Sequence, residues 1–263
     1  MTREKARKPF PWRFWLTALA WCAVFVSSAV AARKARNYML DNPQFVLSIE
    51  QPGAVSIEGA TYASRVKLLR VFAGDYGRSV FAVPLDERRR RLLAVDWVED
   101  ATVSRVWPNR LAVRISERQP VAFVSLPLRS GSAARFLLVD GQGVLLDPPP
   151  RAQFAFPVLT GLTDDQTDFE RRVRVRAVEN MMDGLGALGQ NISEINAAAP
   201  EDLTVVAQVE GRPLELEMGD GNYARRLQNF VSSYPEIRRH MPNAKAFDLR
   251  LDDRITAKEP PKQ

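Results

Sequence analysis

The longest uninterrupted apolar stretch runs from Phe14 to Ala32, nineteen residues without a charge. At the rise of an α-helix it spans roughly 28 Å, close to the thickness of a bilayer's hydrocarbon core, and so predicts one membrane-crossing helix. Residues 33–44 are polar with one proline and predict a helix end and a linker. Beyond them the pattern is that of folded domains. Ala54 to Glu58 alternates and stops at Gly59, a strand, while Tyr62, Val66, Leu68, Leu69 and Phe72 recur at helical spacing. Pro84 and Asp86 open a second helix. Two extended runs follow, carrying Val98, Thr102, Val103 and Val106, then Leu111, Val113 and Ile115; Trp107-Pro108-Asn109-Arg110 joins them by a turn. The order β-α-α-β-β over 45–117 predicts a small domain of about seventy residues.

After Gln119-Pro120 the pattern changes to short strands punctuated by turns. Residues 121–126 and 135–140 read as strands, and Asp140-Gly141-Gln142-Gly143 supplies the positive-φ residues of a tight hairpin, with Pro148-Pro149-Pro150 ending the meander. A helix is predicted over about 165–188, strands near 192–197, 203–209 and 213–218, and a second helix over 222–239 with Tyr223, Leu227, Phe230 and Val231 on one side. Runs 245–251 and 254–258, joined at Asp252-Asp253, predict a closing hairpin at the edge of a sheet, and 259–263 a frayed tail. The fold class is α+β: one helix in the membrane, the small domain, then a mainly antiparallel β domain with helices over 118–258.

Charge refines the topology and excludes several functions. The formal net charge is +6, but Arg3, Lys5, Arg7, Lys8 and Arg13 against Glu4 place +4 of it in the first thirteen residues, which marks a tail and not a nucleic-acid surface. Five cations before the apolar run against Arg33, Lys34 and Arg36 after it predict that the tail, 1–13, stays cytoplasmic and the bulk of the chain is exported. A cleaved signal peptide is the alternative, because Ala29-Val30-Ala31 fits a small-x-small cleavage site; the length of the run and the cations directly after it favour a retained anchor. With Cys22 as the one cysteine and His240 as the one histidine, no disulfide and no metal site is expected. A Ser-His-Asp hydrolase is disfavoured for the same reason. Gly184-Leu185-Gly186-Ala187-Leu188-Gly189 spells a dinucleotide fingerprint but follows a predicted helix, so it reads as a helix exit. Gly219-Asp220-Gly221-Asn222 reads as a helix cap, the arginine run 88–91 as a solvated helix face, and the pairs Asp164-Asp165 and Asp252-Asp253 as capping acids.

The chemistry that is left belongs to the backbone. An edge strand exposes unpaired N–H and C=O groups to which an extended peptide can add. Arg254-Ile255-Thr256-Ala257-Lys258 has a composition compatible with such an edge and equally with an ordinary closing strand. The motifs, taken in order, resemble the bacterial FtsQ/DivIB family. They are Val55-Ser56-Ile57-Glu58-Gly59, Trp97-Val98-Glu99-Asp100-Ala101 with Val103, Arg105 and Trp107-Pro108-Asn109, then Glu117-Arg118 with Pro120-Val121-Ala122, Val139-Asp140-Gly141-Gln142-Gly143, Phe156-Pro157-Val158-Leu159, Arg226-Leu227 with Phe230, and Phe247-Asp248-Leu249-Arg250.

The resemblance implies a polypeptide-transport-associated (POTRA) domain at 45–117 and a β domain at 118–258, both periplasmic. It implies a septal scaffold in the inner membrane without enzymatic activity or cofactor. The β domain would bind the FtsB and FtsL subcomplex, and the first domain would assist recruitment through FtsK. The family's partner strand would fall on Leu251, Asp253, Arg254, Ile255, Thr256, Ala257 and Lys258, where Leu251 replaces an aromatic and Asp253-Arg254 a small-Gly turn. A POTRA-bearing secretion or envelope-assembly component is the competing expectation.

Overall fold

In the computed structural model residues 12–126, 135–150 and 152–258 are described, in two units, Met1–Glu117 and Arg118–Gln263. Most of the basic tail predicted at 1–13, and the tail at 259–263, lie outside the described residues.

In the first unit α1 runs from Trp12 to Asp41, nine residues past the apolar run. The linker expected at 33–44 is therefore mostly helix, because RKARNYML contains several good helix formers and nothing that stops one. Pro43 ends it, and the Asn42 side chain accepts a hydrogen bond from the Gln44 N–H at 3.0 Å. Among the described residues no helix is long and apolar enough to cross a membrane. The described side chains of α1 are those of Thr17 and of 19–41, so the start of the 14–32 run lies outside that statement.

The small domain follows the expected order: β1 (Val55–Glu58), α2 (Arg65–Arg70), α3 (Leu85–Leu93), β2 (Val98–Val106) and β3 (Arg110–Glu117). Its sheet has the order β1-β3-β2, with β1 parallel and β2 antiparallel to β3. Val55, Ile57, Ala101, Leu111, Val113 and Ile115 alternate inward, and Leu68, Phe72 and Leu92 of the helical side are buried with them. Helix α2 has only six residues and buries a narrow stripe, which leaves Val66, expected inside, 67% exposed. The arginine run is not uniformly solvated. Arg88 is buried and grips the fully buried Asp75 through two hydrogen bonds, Nε to Oδ2 at 2.6 Å and Nη2 to Oδ1 at 2.8 Å. The Glu117 carboxylate accepts the backbone N–H groups of Thr61, Tyr62 and Ala63 at 2.9, 2.8 and 2.6 Å, closing the loop before α2 onto the end of β3.

The second unit is one nine-stranded sheet. Its strands are β4 (Pro120–Leu126), β5 (Arg135–Asp140), β6 (Leu145–Leu146), β7 (Val158–Thr160), β8 (Ile192–Asn196), β9 (Leu203–Val209), β10 (Arg212–Gly219), β11 (Ala246–Asp248) and β12 (Thr256–Lys258), in the order β12-β11-β10-β9-β8-β7-β4-β5-β6. Strand β7 escaped the sequence pattern because three residues between Pro157 and Gly161 are too few to alternate. It lies parallel to both β4 and β8, and β11 lies parallel to β10, so the mainly antiparallel sheet contains three parallel pairings.

Two helices pack on this sheet, α4 (Asp168–Leu185) and α5 (Tyr223–His240). A capping box starts α4: the Thr167 hydroxyl accepts the Glu170 N–H, and the Glu170 carboxylate accepts the Thr167 N–H at 2.7 Å. Val175, Val178, Met181 and Leu185 of α4 share one core with Leu227, Phe230 and Tyr234 of α5 and alternate residues of β9 and β10. Tyr234 takes the place expected of Val231, which is 43% exposed. The glycine-rich segment after α4 is a helix exit, with Gly186 at φ +53 leading into a 3-10 turn through Asn191. Gly143 has φ +79 and lies so near the backbone of Asp168 and Arg172 that a Cβ would collide with it, which fixes the β5–β6 hairpin to the start of α4.

Candidate docking edge

The nine-stranded sheet ends on one side at β12, which pairs with β11 in the register Ala246↔Lys258, Phe247↔Ala257 and Asp248↔Thr256. Which backbone groups face outward follows from the next strand in. The Glu215 N–H donates to the Lys245 carbonyl at 2.8 Å and the Leu249 N–H donates to the Glu217 carbonyl at 2.9 Å, so the main-chain groups of Lys245, Phe247 and Leu249 point toward β10. Strand groups alternate, so those of Ala246 and Asp248 point toward β12 and are met there by Lys258 and Thr256. The N–H and C=O of Ala257 then point away from the sheet. Among the described residues no strand lies beyond them.

Side chains follow the same alternation. Ile255 and Ala257 are half-buried against the core beneath, whereas Asp253, Arg254, Thr256 and Lys258 are exposed. Leu251, in the turn, is 57% exposed. An incoming strand would meet the outward N–H and C=O of Ala257, Lys258 at one end and an apolar residue at Leu251.

Two ionic clamps hold this turn. Arg250 donates to Asp248 from Nε at 2.9 Å and from Nη2 at 2.7 Å, and to Asp202 at 3.1 Å, with Glu217 3.4 Å away. Lys258 reaches across β11 to pair with Glu217 on β10. Arg226 of α5 donates to the Asp252 carboxylate at 2.7 Å and to the Met218 carbonyl at 2.7 Å, while the Asn222 amide donates to Asp252 at 2.7 Å. The Arg250 guanidinium holds the Asp248 carboxyl below the usual carboxylate range, and Arg226 does the same for Asp252.

The structure brings together the seven residues singled out in sequence, Leu251 and 253–258, at one sheet margin. Asn222 does not cap α5 with its side chain: it adopts a left-handed conformation and spends its amide on Asp252. The clamping residues Arg226, Arg250, Glu217 and Asp202 were missed as a group. Their pairs join positions 26, 41 and 48 apart, and no local spacing announces such partners. His240 is exposed at the end of α5, and among the described residues no cluster of potential metal ligands exists.

Comparison with known proteins places both units. Residues 51–118 match the model of the POTRA domain, FtsQ-type, and residues 131–250 match that of cell division protein FtsQ/DivIB, C-terminal. The second match stops at Arg250, just before the candidate docking edge. A cell division protein FtsQ of Koribacter versatilis is 31% identical over 213 residues, 79% of this chain and 60% of that protein. One of Bordetella pertussis is 36% identical over 85 residues, 32% of this chain and 31% of that protein. One of Geobacter sp. (strain M21) is 24% identical over 214 residues, 78% of this chain and 75% of that protein. The chain thus spans less than two thirds of the length of the first two of these relatives. With both characteristic domains present in the family's order, the chain belongs to the FtsQ/DivIB family.

Proposed function

We propose that this chain is a non-enzymatic scaffold of the bacterial division machinery, held in the inner membrane at the septum by α1, with its tail in the cytoplasm and both domains in the periplasm. Its POTRA domain, 45–117, assists recruitment through FtsK, and its β domain, 118–258, captures the FtsB/FtsL subcomplex by β-addition at β12. Membership of a cell-division family that acts without catalysis supports the general role. The observation that carries the docking mode is the outward main-chain pair of Ala257, beyond which no strand lies among the described residues. The uncharged run 14–32 within the continuous helix α1 supports the anchor.

The test separates the outer ladder from the inner one. Proline at 257 deletes an outward N–H and no bond within the sheet, whereas proline at 256 deletes an N–H donated to β11. Ala257→Pro in the full chain is expected to weaken binding of an FtsB periplasmic peptide at least tenfold while the amides of β11 keep their hydrogen-exchange protection. Unchanged affinity for Ala257→Pro, with the protein folded, would remove β-addition at this edge.

A further inference from the structure

Helix α1 is joined to the first domain by packing and not by a loose tether. The Ser79 hydroxyl donates to the Met39 carbonyl in the last turn of α1 at 2.7 Å. Phe45, 5% exposed, meets Tyr38 of α1 edge-on at a centroid distance of 6.0 Å and Phe81 at 5.2 Å, with Trp107 6.4 Å away. The segment between is tied down as well, since the Leu47 N–H donates to the Arg78 carbonyl and the Gly77 N–H to the Leu47 carbonyl, both at 2.9 Å. The direction of α1 and the orientation of the domain are therefore coupled.

The surface around this joint has an uncommon composition. Trp107, at the tip of the β2–β3 hairpin, is 73% exposed, and Val106 and Met39 are 43% and 42% exposed. Tyr38 is exposed too, and the cations Arg33, Lys34, Arg36 and Arg110 flank the set. Indole, phenol and aliphatic groups interleaved with cations suit the headgroup layer of a bilayer that carries negative charge. The height fits. Tyr38 stands six residues beyond Ala32, about 9 Å along the helix axis, and the ordinary tilt of about 20° lowers one side of the domain by a few Å, into a headgroup layer about 5–8 Å deep.

We propose that Tyr38, Met39, Val106 and Trp107 form a second membrane contact, seated in the headgroup layer of a bilayer containing anionic phospholipid, so that the POTRA domain leaves the membrane at a set tilt. This rests on the reading of α1 as a membrane anchor. The partner is the lipid surface and not a protein, because the patch is continuous with the helix that enters the bilayer and is flanked by the four cations Arg33, Lys34, Arg36 and Arg110 against one exposed acid, Asp41.

Full-length protein reconstituted in phosphatidylcholine/phosphatidylglycerol bilayers tests this with an environment-sensitive fluorophore on cysteine. The natural Cys22 reports the anchor itself, through quenching by lipids brominated deep in the acyl chain. In a Cys22→Ser background, Val106→Cys reports the proposed contact. Glu99→Cys, at the other end of β2 and about 23 Å away, serves as the reference in water. The label at 106 is expected to be quenched several-fold more than that at 99 by lipids brominated near the headgroup, and Trp107→Ser should abolish the difference. Equal quenching at 106 and 99 while Cys22 is quenched overturns the second contact and leaves the anchor standing. An unquenched Cys22 overturns the anchor reading and the inference with it. A difference that survives Trp107→Ser also counts against the contact as described.

Discussion

Two arginines, one in each domain, do the same chemistry in opposite surroundings. Arg88 reaches the carboxylate of Asp75 inside the POTRA domain, where the carboxylate has no exposure at all. Arg250 gathers Asp248, Asp202 and Glu217 at the rim of the β domain, where roughly two fifths of its side chain faces water. A buried ion pair adds little net stability but is expensive to break, since the surviving charge is left desolvated. An exposed pair is screened, and its Coulomb energy is largely cancelled by the cost of ordering the side chains. The first arrangement therefore makes the POTRA domain intolerant of losing either partner. The second fixes the local shape of a turn at the margin of the sheet.

The largest effect expected from this contrast comes from Asp75→Ala, which strands the Arg88 guanidinium in the core. It should cost the first domain about 3–5 kcal/mol, measured by denaturant unfolding of the detergent-solubilised chain. Trp97, buried beside Tyr62 at a centroid distance of 5.0 Å, supplies the fluorescence signal. A cost under about 1 kcal/mol would mean that water reaches this pair and that the two sites do not differ in kind.

Removing the clamp on the β11–β12 turn should have a smaller effect and a different character. Arg226→Ala takes one hydrogen bond from the β11–β12 turn, to Asp252, and one from the end of β10, to the Met218 carbonyl. Global stability should fall by about 1–3 kcal/mol, because the arginine is itself mostly buried, and hydrogen exchange should rise first in residues 249–258. Exchange rising evenly across the sheet would show that the clamp supports the whole domain and not the edge.

Acid should produce the gentlest change. Asp248 and Asp252 titrate below the ordinary carboxylate range, held there by Arg250 and Arg226. Groups depressed in this way stabilise the fold at every pH above their unfolded value, and that stability is lost as the pH falls through the folded one. The edge hairpin should accordingly be indifferent to pH between about 5 and 8 and loosen below about 4, as judged by amide exchange in 249–258. Loosening near neutral pH would implicate a different group.

Much of the architecture could be read from spacing. The β-α-α-β-β order, the helix predicted over about 165–188 and the closing hairpin about Asp252 all rest on signals local in the chain. The misses share a cause. Strand β7 is three residues long and acquires its identity from β4 and β8 on either side. Arg88 sits in a run of four arginines, and only the position of Asp75 thirteen residues earlier decides which of them turns inward. The run 254–258 is legible as a closing strand, yet which of its backbone groups face outward depends on the hydrogen bonds of Lys245 and Leu249 to β10.

The sequence by itself determined the uncharged run, the two-domain order and the presence of only one cysteine and one histidine, because each follows from residue type and local period. The tertiary structure alone decided the parallel insertions, the choice of Arg88, the ionic clamps on the terminal turn and the packed joint between α1 and the POTRA domain. Those features join residues far apart in the chain. Their energies depend on burial and on meeting a partner at hydrogen-bond distance, and neither exists until the chain has folded.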